Sequence, residues 1–189
     1  MKKLVLIVFT LLLVGCSKEV KINDKGEDTF IDEKPIEVAK CDSNHECETI
    51  NGKTYKWSKI TNIKINEMYN YETEEIEAGT LKIIDGILHF VDLNNETIMK
   101  YDYIEGNVIA LEEVNIDCDE VIYALITDKG YIYRSDAHEG ILVEESFYKV
   151  ENESKFIKFG VDQLQNEEEC TIGNIIGKIE NNDVINLSN

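Results

Sequence analysis

Along most of the chain, apolar residues arrive in short bursts separated by turn-forming polar residues. Segment 80–84 (Thr80-Leu81-Lys82-Ile83-Ile84) runs into Asp85-Gly86 and resumes as Ile87-Leu88-His89-Phe90-Val91. Asp-Gly between β-rich runs marks a two-residue hairpin, because both central residues of that turn need positive φ. The same grammar recurs downstream. Asn94-Asn95 precedes 97–103, Glu105-Gly106-Asn107 precedes 108–111, and Asp128-Lys129-Gly130 joins 121–127 to 131–134. Runs at 141–143, 147–150, 156–161, 175–179 and 184–187 complete the series, with Asn181-Asn182-Asp183 before the last. Strands at intervals of roughly 8–12 residues with turns between them predict an all-β fold, an antiparallel meander forming a sandwich or barrel.

Two segments carry helical spacing instead. In 66–77, Met68, Tyr71, Glu75 and Ile76 share a helical face, and 161–169 has room for a turn or two of helix. There is also a faint internal repeat. Residues 88–106 run parallel to 122–140 at an offset of 34, and 156–159 falls about one period further on. The alternative architecture is therefore a small propeller-like array of ~34-residue units, shorter than the ~40–50 residues of most blades.

The residues before the β pattern differ in kind. Segment 17–40 is dominated by charge, lacks apolar periodicity and holds the one proline, Pro35. As a flexible coil of about 24 residues it would reach roughly 25–30 Å. Ahead of it lie Lys2 and Lys3, then an apolar run over 4–14 broken only by Thr10. That run is too short for the ~20 residues a membrane-spanning helix needs, and it fits the apolar core of a secretory signal. The run ends in Leu13-Val14-Gly15-Cys16 followed by Ser17.

This tetrapeptide, placed at the end of the apolar run, resembles the lipobox of bacterial prolipoproteins. The resemblance covers about the first 17 residues. It implies a diacylglycerol thioether on Cys16 and cleavage between Gly15 and Cys16. Palmitate-type acyl chains, at about 0.8 kcal/mol per buried CH₂, would then hold the chain on a membrane. The implied location is the cell membrane or outer membrane, facing periplasm or exterior. Ser17, where an aspartate would resemble an inner-membrane retention signal, resembles the outer-membrane pattern. The expected organisation is a lipoprotein signal peptide over 1–15, a lipidated N-terminus and acidic tether over 16–48, and one β-rich domain over 49–189.

With Cys16 assigned to lipid, four cysteines remain: Cys41, Cys47, Cys118 and Cys170. An even number in a chain outside the reducing cytoplasm implies two disulfides. Three pairings exist, and Cys41–Cys47 with Cys118–Cys170 is the favoured one. It closes a short local loop and staples the last segment to the middle of the domain.

Charge narrows the partners. The chain has 38 acidic and 19 basic residues, a net charge of −19, and a single arginine, Arg134. Nucleic-acid binding needs a clustered cationic surface, so no nucleic-acid partner is expected. The same charge argues against adsorption to anionic headgroups, which leaves membrane attachment to the lipid.

Catalytic patterns are sparse. Cys41-Asp42-Ser43-Asn44-His45-Glu46-Cys47 groups soft ligands, but its cysteines are expected in a disulfide, so no metal is assigned. Ser135-Asp136-Ala137-His138 is read as a polar turn, because triad members meet from distant segments. The acidic clusters at 72–75, 117–120 and 167–169 lack the EF-hand order and are read as solvated charge. His89, inside an apolar run, is read as structural. Tyr101 and Tyr103 alternate onto one strand face, as do Tyr131 and Tyr133. With Arg134 they form a candidate binding surface if exposed, and a core ladder if not. The expectation is a non-enzymatic, cofactor-free, membrane-anchored module for contact with an envelope protein or for scaffolding. The competing classes are a small cell-wall glycan-active enzyme or inhibitor, and a ligand-binding β-barrel.

Overall fold

Backbone sterics explain where the strands turn. Asp85 and Gly86 both take positive φ, 50° and 81°, so the Asp-Gly hairpin is of the primed type its residues favour. Asn51 and Gly52 form the same kind of turn, with φ of 51° and 83°. Asn95, Gly106, Gly130 and Asn182 supply the left-handed positions of the other turns. The computed structural model describes residues 41–70, 73–117, 120–136, 141–143, 145–165 and 171–187. All belong to one unit of the chain, Val38–Asn189.

Thirteen strands are found among the described residues. They are β1 (His45–Ile50), β2 (Lys53–Ser58), β3 (Asn62–Asn70), β4 (Glu75–Ile84), β5 (Ile87–Asp92), β6 (Thr97–Lys100), β7 (Val108–Asn115), β8 (Val121–Thr127), β9 (Ile132–Ser135), β10 (Phe147–Lys149), β11 (Phe156–Gln165), β12 (Thr171–Ile179) and β13 (Val184–Asn186). Every ladder is antiparallel and joins neighbours in sequence: β1-β2, β3-β4-β5-β6, β7-β8-β9-β10 and β11-β12-β13. The fold is therefore an all-β antiparallel meander whose sheets pack face on face. No sheet of the described residues closes into a barrel.

The middle sheet, β7 to β10, is covered on both faces. Leu111, Tyr123, Leu125, Tyr133 and Phe147 point into a core shared with Ile63, Leu81, Leu88 and Phe90 of the preceding sheet. Ala110, Val114, Ile122, Ala124, Ile126 and Ile132 point into a second core with Phe156, Phe159 and Ile175 of the following sheet. Double coverage explains why 122–127 is buried at every position, and why its sequence is a continuous apolar run rather than an alternation.

The β1-β2 hairpin lies against β11, and a glycine permits the approach. A Cβ on Gly160 would sit 2.0 Å from the Lys56 carbonyl oxygen. Any side chain there would push β2 off β11.

Several expectations change. Segment 66–77 is the end of β3, a turn and the start of β4, not a helix. A bulge between Ile65 and Met68 shifts the strand's alternation and imitates helical spacing. Asn70 then organises the turn: its carbonyl accepts from the Thr73 amide at 3.3 Å and its amide donates to Glu77 at 2.7 Å. The first residues of 161–169 belong to β11. Segment 141–143 is a bend, although Ile141 and Leu142 are fully buried. β1 begins at His45, inside the stretch read as tether. The 34-residue repeat matches β5, third in its sheet, to β8, second in its own, so it relates hairpins rather than whole sheets. The sheets themselves begin at Asn62, Val108 and Phe156, intervals near the ~40–50 residues of a propeller blade.

Leu125 is the test of this architecture. Leu125→Ala is expected to cost about 2–5 kcal/mol in urea unfolding. Val121→Ala, at the exposed end of the same strand, is expected to cost less than about 1 kcal/mol.

Candidate functional site

The Cys41 to Cys47 loop is built first by covalent chemistry. Cys41 and Cys47 are joined in a disulfide with Cα atoms 5.8 Å apart, as the short-loop pairing requires. Both thiols are thereby withdrawn from metal binding. The residues between them are not idle. His45 Nε2 lies 2.7 Å from Glu112 Oε1 on β7, and His45 Nδ1 lies 2.8 Å from Asp42 Oδ1. Ser58 at the end of β2 donates to the Leu111 carbonyl at 2.5 Å. Glu112 is buried, and burial raises its carboxyl above the usual glutamate range despite the opposing pull of His45 and Ser58. Asp42, exposed, is held below its ordinary value chiefly by its hydrogen bond with His45. Among the described residues no group of three or more His, Cys, Asp or Glu is arranged to hold a metal ion.

A second polar cluster fastens the hairpin to the last sheet. Lys178 on β12 is buried and donates to Glu48 Oε1 on β1. Glu48 Oε2 accepts from Trp57 Nε1 at 3.0 Å and from Lys158 at 3.1 Å, and Lys158 also reaches Glu46 at 2.5 Å. The Lys178 hydrogen bond, then that of Lys158, keeps the Glu48 carboxyl below its ordinary value.

The tyrosines separate. Tyr101 is 1% exposed and donates from its hydroxyl to the Ile141 carbonyl. Tyr133 is also buried, its hydroxyl accepting from the Glu105 amide at 3.1 Å. These two are core residues, so they cannot form part of a contact surface. Tyr103 is half-buried and its oxygen accepts from the Phe147 amide at 2.8 Å. Tyr131 is half-buried beneath the Lys149 ammonium, 3.3 Å from its ring centre. Ser135 is likewise structural, its buried hydroxyl accepting the Tyr123 amide at 2.9 Å. His89 bonds Thr97 at 3.3 Å, and burial lowers its pKa. His138, Cys118 and Cys170, like Cys16, lie outside the described residues.

Arg134 has different company. It lines a cleft of about 240 Å³ between the middle and last sheets, together with Val114, Ile116, Ile122, Ile172, Asn174 and Ile175. The cross-strand partner of Arg134 on β8 is Ala124, which leaves the long side chain room. The sequence marked Arg134 as the chain's only arginine and as part of a candidate surface with the tyrosines, but did not mark the cleft it lines.

Compared with protein-family models, curated proteins and solved structures, the chain matches none of them.

Two measurements test the local chemistry. Because Glu112 binds its proton more tightly folded than unfolded, stability falls as pH rises from about 4.5 through its elevated value. In Glu112→Gln, urea midpoints across pH 4–8 are expected to lose that downward component. Glu48 acts oppositely, contributing above the ordinary glutamate range and losing its contribution as pH falls through its lowered value. Replacing Cys41 and Cys47 together by alanine is expected to cost about 2 kcal/mol, from the entropy of so short a loop.

Proposed function

We propose that this chain is a membrane-anchored extracytoplasmic lipoprotein whose β domain makes non-catalytic contacts with a partner protein of the cell envelope. The observation that carries the location is the combination of a lipobox-like Leu13-Val14-Gly15-Cys16 with a disulfide at the entrance to the folded domain. Cytosolic glutathione and thioredoxin keep such pairs reduced, whereas secreted chains retain them. The charged segment between them has the composition of a spacer and the length to hold the domain off the bilayer.

Contact with protein is supported by the tip of the β3-β4 hairpin. Tyr69 and Ile76 are register partners, so their side chains share one face, and they are 44% and 69% exposed. Leu93, in the turn between β5 and β6, is 73% exposed. Apolar groups displayed together away from either core resemble the centre of an interaction patch more than a solvated strand end.

The second disulfide belongs to the same proposal. Ile116 and Ile172 line one cleft, and they stand two residues from Cys118 and Cys170 respectively. With Cys41 and Cys47 already joined, that proximity supports Cys118 with Cys170 as the remaining pair.

Fractionation tests the anchor. The wild-type chain is expected in the membrane fraction with acyl mass on Cys16, and Cys16→Ala in the soluble fraction. Unchanged membrane partition of the variant refutes the proposal. Non-reducing peptide mapping is expected to link Cys118 to Cys170, and free thiols there would refute that pair. A photocrosslinker at Tyr69 is expected to yield an envelope-protein adduct that Ile76→Asp abolishes.

A further inference from the structure

The ion pairs of the described residues run from lysines or from His45, and Arg134 joins none of them. The chain has 38 carboxylate side chains, yet among the described residues its one arginine pairs with no acid and lines an apolar cleft. Val114, Ile116, Ile122, Ile172 and Ile175 supply the walls, and Asn174 adds an amide. The walls meet because β12 carries Gly173, where a Cβ would lie 2.5 Å from Val161 Cγ1 and 3.1 Å from Val114 Cγ1. We propose that this cleft binds an aliphatic carboxylate, the Arg134 guanidinium taking the carboxylate and the isoleucine and valine walls taking the stem.

The chemistry selects this ligand over other anions. Arginine presents donors in a planar fork that matches a carboxylate two bonds at a time. Arg134 is half-buried, so the pair forms partly out of water and is screened less than a surface pair. The chain's net charge of −19 repels anions at long range, and repels a multiply charged phosphate more than a monoanion. Affinity must therefore come from local pairing together with burial of an apolar stem, which an inorganic anion lacks. The cleft volume, about 240 Å³, is below the ~300–1,000 Å³ of pockets for drug-sized ligands, so the stem is a few carbons long. Two sources present this chemistry: a free short-chain acid, or the terminal carboxylate of a peptide ending in a leucine-like residue. The inference goes beyond the proposed envelope role and stands whether or not that role does.

The single arginine makes the test direct, because its side-chain Nε–H gives one arginine signal in a ¹⁵N-resolved NMR spectrum. The full chain in zwitterionic micelles is titrated with 4-methylpentanoate and with an acetylated peptide ending in leucine. Each is compared with its amide, and inorganic phosphate serves as a further control. Either acid is expected to shift the Arg134 signal and the Ile122 and Ile172 methyl signals saturably, with the amide at least about tenfold weaker. The tighter acid identifies the source. In Arg134→Gln, checked for an otherwise unchanged backbone spectrum, acid and amide are expected to bind alike. The proposal is overturned if acid and amide bind equally to the wild type, or if phosphate matches the acids. It is overturned equally if Arg134→Gln keeps the preference, or if neither acid saturates by about 10 mM.

Discussion

Everything in this fold rests on a sheet that has no wet face. The β7-β10 sheet presents Leu125 and Tyr123 to one core and Ile122, Ala124 and Ile126 to the other, so every residue of the central strand after Val121 must be chosen for burial. A polar group admitted to such a sheet has to bring its partner with it, since an unpaired buried donor or acceptor costs on the order of 1–3 kcal/mol. The structure meets that condition. Ser135 takes the Tyr123 amide, Tyr101 donates to Ile141, and Glu112 is met by His45. Among the described residues no buried side-chain nitrogen or oxygen is left without a partner.

The two outer sheets are secured differently. The first, β3 to β6, is held chiefly by large apolar side chains, Ile63, Leu81, Leu88 and Phe90, with the Val108 amide donating to the Gly86 carbonyl at 2.7 Å. The last, β11 to β13, shares Phe159 and Ile175 with the middle sheet and is also tied to the β1-β2 hairpin by Glu48, Lys158 and Lys178. Ion pairs of this kind add geometric selectivity more than net stability, because desolvating Lys178 offsets much of the attraction. Gly160 complements them: charge draws the hairpin to β11, and the missing side chain lets the two backbones meet.

Local chemistry made most of this legible from the chain. The turns at Asp85-Gly86, Asn95, Gly130 and Asn182 stand where φ preferences place them, and the strands from β4 onward follow. The legible part ends where neighbours override periodicity. The bulge after Ile65 moved Met68 and Tyr69 out of phase and made β3 look helical. Asn51-Gly52 carries the same hairpin signal as Asp85-Gly86, but charged residues around it masked β1 and β2. The burial of Tyr101 and Tyr133 depends on a sheet packed from distant sequence, which alternation within their own strands does not encode. Likewise Arg134 stood out by its rarity and its place beside the tyrosines, whereas the cleft beside it is made by residues 12 to 41 positions away on either side.

The disulfide loop changes how the domain bears a mechanical load. A pull arriving from residues before Cys41 passes through the sulfur bridge straight to Cys47, in the middle of β1. The register pairs His45 with Ser58 and Glu46 with Trp57 are bypassed, so they are not unzipped one at a time. Force instead meets the remaining β1-β2 ladder together with the Glu48 ion pairs to β11 and β12. The entry point of the chain is thus a covalent clasp, and tension there is spread over many weak bonds in parallel.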